Sequence, residues 1–384
     1  MKIIAKIKKS VPLSVKRALI QQANRVELYL ITLFSANGFL ASLYYTFFSR
    51  QFYREHLAVL RGRLAYQQSL VKPAASSALL RRNIHRLEKG LIMRSRRAVF
   101  AEDYISETVA AFAKAQANSG FCQQEFNWAN AVLTQYFAVV TDTAIIAKAR
   151  AHFAALSKAD TPAPAGLAST PDAALGAATS TETVINNAEP VPYLHQCLPE
   201  PAISYPQLLS LFTRRRSVRW YLPKPVPAAL IEQAVAAASL APSACNRQPY
   251  QFIVLNDANK AAAAAKCAMG TVGFAENIPC LLVVTGDLAA YPAERDRHII
   301  YIDAALASMQ LMLALETLGV SSCPINWPDI EAREQALSNM LNLPYQQRVI
   351  MLLAVGYADP EGGIAYSQKK PTSLLIKEDT NHVN

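Results

Sequence analysis

Residues 241–255 read APSACNRQPYQFIVL, and this stretch decides the architecture of the C-terminal half. Upstream of it, Pro227 opens the run AALIEQAVAAASL at a first helical turn, where its missing N–H removes no intrahelical bond, and Pro242 stops that run. Residues 242–249 then form an irregular polar connection into the strand-like run at 252–255. Helix, polar loop and strand in quick succession predict a mixed α and β domain. Further strand-like runs lie at 281–285 and 349–355. Between them, residues 298–318 are apolar almost all round, interrupted by Asp303, Gln310 and Glu316 and closed by Gly319 at a C′ position. That pattern predicts a central helix covered on several sides, in part by a second subunit.

The whole chain has 384 residues, room for about two to three domains. At 52% hydrophobic and 17% charged it is too apolar to be disordered throughout and too mixed for a polytopic membrane protein. Neither G-x-G-x-x-G nor G-x-x-x-x-G-K-[ST] occurs, so both glycine-rich phosphate cradles are absent. The six cysteines have no C-x-x-C pair and no histidine at finger spacing, which predicts reduced thiols in a cytoplasmic setting and no metal site. Charge divides the chain: residues 1–150 hold 22 Lys and Arg against 8 Asp and Glu, a net +14, while residues 151–384 hold 16 against 20, a net −4.

Residues 1–156 read as a basic, mainly helical region, with apolar residues at helical spacing over 57–87 and 104–153. Within it, 28–48 is a 21-residue stretch without a charge, long enough to cross ~30 Å of hydrocarbon but diluted by Thr32, Ser35, Asn37, Gly38, Ser42 and Thr46. More Lys and Arg precede it than follow, so a single span would put the C-terminal bulk outside, away from cytosolic substrates. A helix lying on an anionic membrane surface and a helix packed on protein remain as alternatives. Residues 157–203 form a flexible linker rich in Ala, Pro, Ser and Thr, 204–375 the mixed domain, and 376–384 a tail.

Four pieces of the mixed domain carry chemistry-bearing residues. TRRRSVRWY supplies Arg215, Arg216, Ser217 and Arg219, whose guanidinium forks suit a phosphate without a glycine loop. The opening stretch offers Pro242, Ser243, Asn246 and Gln248 to the polar edge of a planar heterocycle. LGVSSCPINWPD places Pro324, Ile325, Asn326 and Trp327 in an extended connection, and Lys369 and Lys370 precede Pro371 near the end. Taken singly, these are a solvated basic surface, a capped turn, a plain turn and a charged tail.

Together they resemble the FMN-dependent nitroreductase family. The likeness lies in RRSVR at 215–219, PSACNRQP at 242–249, DAALASMQLMLA from Asp303, LGVSSCPI from Leu318 and the basic pair before proline, and it covers roughly residues 204–375. It implies an α+β fold, a mixed and mostly antiparallel sheet flanked by helices, here preceded by the helical N-terminal region. It also implies a homodimer with FMN at the interface and NADH or NADPH as electron donor. By position, Arg215, Arg216, Ser217 and Arg219 resemble the contacts to phosphate, ribityl chain and ring edge, and Lys369 or Lys370 a second phosphate clamp. Pro242, Ser243, Asn246 and Gln248 resemble the loop that touches the ring from the other subunit. Pro324, Ile325 and Asn326 match a segment near the reactive ring nitrogen, where relatives often have glycine; Asn326 and bulky Trp327 depart from that pattern. Cys245 has no chemical role in this scheme.

Upstream, IHRLEKGLIMRSRRAVF is similar to a His-x-Leu-Glu-Lys-Gly-Leu element that precedes the reductase domain in a subset of the family, often in surface-polysaccharide settings. His85 and Glu88 share one helical face, with Arg94, Arg96 and Arg97 one to two turns later; intrahelical ion pairing is the default reading, and an anionic partner such as a phosphate headgroup, a nucleotide sugar or the flavin phosphate is the alternative. The expected activity is hydride transfer from NAD(P)H through FMN to an electron-poor acceptor such as a nitro compound or a quinone. Alternatives are flavin chemistry on a polysaccharide or peptide-derived intermediate, and a non-enzymatic membrane-associated assembly factor with a reductase-like scaffold. The expected location is the cytoplasm, at the inner face of the membrane if the N-terminal region docks there. No groove-reading module supports nucleic-acid binding.

Overall fold

The computed structural model describes residues 12–72, 74–158 and 189–377. Most of the expected linker and the end of the tail lie outside the described residues. The chain divides into two compact units: Met1–Leu57 with Asp329–Glu331, and Ala58–Pro328 with Ala332–Asn384.

In the smaller unit the uncharged stretch at 28–48 is not one helix. Helix α1 (Leu13–Phe34) ends at Ser35, and α2 (Gly38–Phe47) starts afresh with Asn37 as its N-cap, the side-chain oxygen accepting from Leu40 N at 3.0 Å. A continuous span over 28–48 is therefore replaced by two shorter helices. The break has a local cause, since asparagine followed by glycine favours a cap and a turn over a helix interior. The only described stretch long and apolar enough to cross a membrane is Glu294–Thr317, the core helix described below.

In the larger unit, the four helices α4 (Ala78–Leu91), α5 (Ile105–Gln116), α6 (Gln123–Val139) and α7 (Ala144–Lys158) enclose one core around Leu80, Ile84, Leu87, Ile105, Phe112, Leu133 and Tyr136. They follow α3 (Tyr53–Val71). The His-x-Leu-Glu-Lys-Gly-Leu phrase lies in α4, where its structural logic is plain. Leu87 and Leu91 are buried, and a Cβ on Gly90 would stand 2.5 Å from the Phe100 ring. His85 Nδ1 meets Glu88 Oε2 at 3.1 Å, and Trp128 Nε1 donates to Glu88 Oε1 at 2.8 Å.

The mixed domain contains β1 (Tyr250–Leu255), β2 (Cys280–Asp287), β3 (Ser321–Asn326) and β4 (Gln347–Gly356), in spatial order β1-β2-β4-β3 with every named pair antiparallel. The expected mixed sheet is thus antiparallel in all its named strands; among the described residues an isolated parallel bridge, Ser217 to Ser322, ties the basic segment to the β3 edge. Strand β2 is buried on both faces, as expected of an apolar run without alternation. Leu281 and Val283 face α10 (Ala258–Cys267) and α12 (Glu331–Leu341), while Cys280, Leu282 and Val284 face α9 (Ala228–Ala238) and α11 (Ile299–Thr317). The result is a helix–sheet–helix sandwich. Gly286 lets α11 approach β2 closely: a Cβ there would meet Ile300 Cβ at 2.7 Å. Burial raises the Cys280 thiol to about 12, so this cysteine is a packing residue and not a nucleophile.

Candidate functional site

Helix α8 (Tyr205–Arg214) begins with a capping box, Ser204 with Gln207, and delivers the arginine run at its C-terminus. From there the backbone is extended. Val218 N donates to Ser322 O at 3.1 Å, Leu222 N to Tyr357 O at 2.8 Å, and Asp359 N to Trp220 O at 3.0 Å. These bonds fix the segment against β3 on one side and against the chain leaving β4 on the other. The arginines consequently have distinct tasks. Arg214 turns to α11, its Nε 3.0 Å from Glu316, whereas Arg215, Arg216 and Arg219 turn into a cavity of about 370 Å³.

That cavity is lined by Phe212, Thr213, Arg215, Arg216, Ser217, Arg219 and, from the C-terminal segment, residues 365–369. It holds four cationic side chains, counting Lys369, and no carboxylate. The Arg215 Nε is buried without a hydrogen-bond partner. An unpaired buried donor costs about 1–3 kcal/mol, so an anion that accepted from it would be held selectively. Arg219 is outermost, with its guanidinium carbon 5.9 Å from the Phe274 ring centroid. The arrangement suits a phosphorylated ligand with an apolar or aromatic portion resting on Phe212 and Tyr366.

Of the residues expected from sequence, the structure brings Arg215, Arg216, Ser217, Arg219 and Lys369 together; Lys370 does not line the cavity. Pro324 and Asn326 are exposed on β3, while Ile325 points into the core beneath it and offers only its backbone to a ligand. Trp327 also turns inward: its Nε1 donates to Glu334, whose carboxylate pairs with the buried Arg348 at 3.3 Å. The bulk that departs from the family pattern is thus taken out of the cleft. Sequence reading missed Phe212, Thr213 and residues 365–368. Their only signal was adjacency to the basic pairs, because the closure is made by chain segments far apart in sequence.

Pro242, Ser243, Asn246 and Gln248 form a second centre that does not line this cavity. Its backbone is unusual, with Cys245 (φ 53), Asn246 (φ 50) and Gln248 (φ 50) all left-handed. Such residues cost about 1–3 kcal/mol each and persist where the surroundings hold them. Here the Ser243 hydroxyl (2.7 Å) and Ala244 N (3.0 Å) donate to Asp303 Oδ2, and Gln248 N donates to Ser243 Oγ at 2.8 Å. Asp303, the polar interruption noted in the central helix, is therefore the loop's anchor on α11. Burial raises its carboxyl above the usual range, opposed by these donors and by Arg247.

Comparison with known proteins bears on the mixed domain. The nitroreductase family model matches residues 212–273 and 266–357. An Archaeoglobus fulgidus protein, provisionally named NADH dehydrogenase/NAD(P)H nitroreductase, is 30% identical over 160 residues, covering 40% of this chain and 87% of its own length. The chain belongs to the nitroreductase family. Human iodotyrosine deiodinase 1 is 23% identical over 223 residues, covering 50% of this chain and 75% of that protein. Among solved structures, an FMN-dependent nitroreductase from Clostridium difficile R20291 aligns with TM-score 0.36 and 24% identity, covering 41% of this chain and 92% of that one. Family membership makes the chain a member of an oxidoreductase family, and its matched part contains the arginine segment, the strained loop and the central helix.

The Asp303 anchor predicts a pH signature. Because burial raises its native pKa, the folded state holds this proton more tightly than the unfolded chain does. Its contribution to stability then declines as pH climbs from the unfolded carboxyl range near ~4 through the raised native value. Asp303→Asn keeps an acceptor for Ser243 and Ala244, so denaturant titrations across pH should show that component gone. Asp303→Ala should instead lose about 1–3 kcal/mol at neutral pH by orphaning both donors.

Proposed function

We propose that this chain is an FMN-dependent NAD(P)H oxidoreductase acting on an electron-poor small molecule, with the cavity at 212–219 and 365–369 as its phosphate end. The carrying observation is a pocket with three guanidinium groups and one ammonium, no carboxylate, and a buried Arg215 Nε lacking an acceptor. Arg215, Arg216 and Lys369 would hold the phosphate, Ser217 the ribityl chain, and Arg219 the ring edge where negative charge develops. When bound, FMN supplies the hydride acceptor and donor at N5. The protein's share is to grip the cofactor, keep one ring face open and admit donor and acceptor in turn, so no side-chain nucleophile is needed. The likeness to a deiodinase adds halogenated aromatics to nitro compounds and quinones as acceptors to be tried, beside polysaccharide and peptide-derived intermediates.

We also propose a homodimer that brings the 242–248 loop and the exposed β3 residues of one subunit to the other's cofactor. Supporting this, α11 leaves Ile302, Leu306 and Met309 exposed at one-turn spacing, and α8 leaves Tyr205, Leu209 and Phe212 exposed. Apolar surface of this extent on a packed domain calls for a partner.

The N-terminal unit fits an anionic membrane surface, which would place the enzyme at the cytoplasmic face. Among its described residues none is fully buried, and Val15, Leu19, Val26 and Leu33 form an exposed stripe along α1. The hydroxyls of Thr32, Ser35, Ser42 and Thr46 each donate to a main-chain carbonyl three or four residues back, so the polar residues that dilute the stretch are satisfied without water. Residues 1–50 carry eight Lys and Arg against one Glu. Two copies would therefore repel through this segment, while anionic lipid would attract it.

Purified full-length protein should be yellow and should bleach anaerobically with NADH or NADPH; a colourless sample that refuses added FMN would favour the scaffold alternative. Arg215→Ala should weaken FMN binding by about one to two powers of ten, since a charge-assisted hydrogen bond is worth ~1.5–3 kcal/mol. Light scattering should return twice the 42.0 kDa chain mass, and a monomer would remove the shared site. Co-sedimentation with phosphatidylcholine vesicles should appear only when phosphatidylglycerol is added, and should weaken with salt and with Leu19→Glu. Equal binding to neutral vesicles, or none, would sink the surface assignment.

A further inference from the structure

Arg81, on the helix carrying the His-x-Leu-Glu-Lys-Gly-Leu phrase, reaches out of the helical region to the strained loop of the reductase domain. Its Nε donates to Asn246 O at 2.8 Å and its Nη2 to Gln248 Oε1 at 2.8 Å. The third nitrogen, Nη1, lies 3.2 Å from Glu125 Oε2, a carboxylate that is almost wholly buried. Glu125 is itself held by the Ser76 hydroxyl at 2.6 Å and by Ser77 N at 3.0 Å, at the start of α4. The Trp128 ring backs the guanidinium at 5.5 Å. One corner of the fork is thus locked in the helical region, and the other two nitrogens present a rigid pair of donors to the loop.

The bonded positions are informative. Asn246 and Gln248 are two of the loop's three left-handed residues, and they lie in its distal half. Asp303 holds the proximal half, at Ser243 and Ala244. The loop is therefore gripped from two sides by groups of opposite charge belonging to different parts of the chain. Without Arg81, the Asn246 carbonyl and the Gln248 amide oxygen lose a charged donor. Of the grip on the distal half there would remain Gln248 N to Ser243 Oγ, Gln248 Nε2 to Ser239 O and the local turn bonds from Asn246 N to Ser243 O and from Arg247 N to Ala244 O.

We infer that Arg81 is a positioning residue for the flavin-contacting loop, and that the helical N-terminal region is thereby a structural part of the reductase site. This rests on the proposal that the 242–248 loop meets a flavin. A planar fork fixed by Glu125 reaches two acceptors at once, which a lysine ammonium at the end of a flexible stem cannot do. Conservative substitution consequently gives a graded series: Arg81→Met removes all three donors while keeping much of the stem, and Arg81→Lys restores charge and a single bond. Leu87→Val loosens the helical core without touching the loop and serves as the structural control.

The test uses the full-length chain of each variant, with two readouts. Hydrogen exchange should be about tenfold or more faster at the amides of 244–248 in Arg81→Met, intermediate in Arg81→Lys, and unchanged there in Leu87→Val. In the FMN-loaded protein, the flavin visible circular dichroism should change in the same order, and kcat with NADH should fall more than KM changes. Unaltered loop exchange in Arg81→Met would overturn the inference, as would Leu87→Val reproducing the whole effect. If the wild type takes up no FMN yet Arg81→Met still frees the loop, the flavin assignment fails and the clamp stands. If FMN binds and reduces normally but all variants match the wild type, the clamp fails and the flavin assignment stands.

Discussion

The site depends on where the backbone of residues 217–222 finds its hydrogen-bond partners. This segment has main-chain groups on two edges; Val218 binds the β3 edge at Ser322, and Trp220 and Leu222 bind the chain leaving β4 at Asp359 and Tyr357. An extended segment paired on both sides cannot rotate, so the side-chain directions of its arginines are set. The C-terminal chain beyond that pairing supplies Lys369 to the same cavity as Arg215 and Arg216. Breaking the pairing would free both walls of the cavity together.

Around that constraint, charge is distributed by function. Arg214 neutralises the nearly buried Glu316 and ties α8 to α11, Arg348 answers Glu334 beneath Trp327, and Arg81 answers Glu125. These carboxylates leave Arg215, Arg216, Arg219 and Lys369 without an acidic residue in their cavity. A positive field in a concave, partly dry site is the electrostatic condition for gripping a phosphate. The net +14 of the first 150 residues belongs to a different part of the chain, where Arg63, Arg81, Arg86 and Arg150 are each within ion-pair distance of a carboxylate.

The strained loop connects the two larger parts of the molecule. Three left-handed residues without glycine are unfavourable unless held, and the holders are Asp303 on the central helix and Arg81 on the helical region. The His-x-Leu-Glu-Lys-Gly-Leu phrase thereby acquires a physical explanation. Its leucines and glycine pack α4, its His85–Glu88 pair braces one face with Trp128 of α6, and Arg81, one turn before it, performs the contact outside the bundle.

Much of this was legible in the linear chain. Pro227, Pro242 and Gly319 marked the ends of elements, unbroken apolar runs marked strands, and the spacing of four motifs pointed to one family. The basic cluster at 215–219 could be read as a phosphate site because guanidinium chemistry is carried by the residue itself. Other features depend on contacts that sequence distance conceals. Whether Arg214 or Arg215 enters the cavity is decided by where the helix ends and which edge the chain then joins. Whether Trp327 blocks a cleft or fills a core is decided by Glu334 and Arg348 behind it. The apolar stretch at 28–48 read as continuous by composition, yet the cap at Asn37 divides it. Nothing in the linear chain distinguishes Arg81; folding sets it beside Asn246 and Gln248. Residue type and local periodicity determine elements and chemical capacity; direction and partnership arise only when distant segments close on one another, since a side chain's environment is a property of the packed chain.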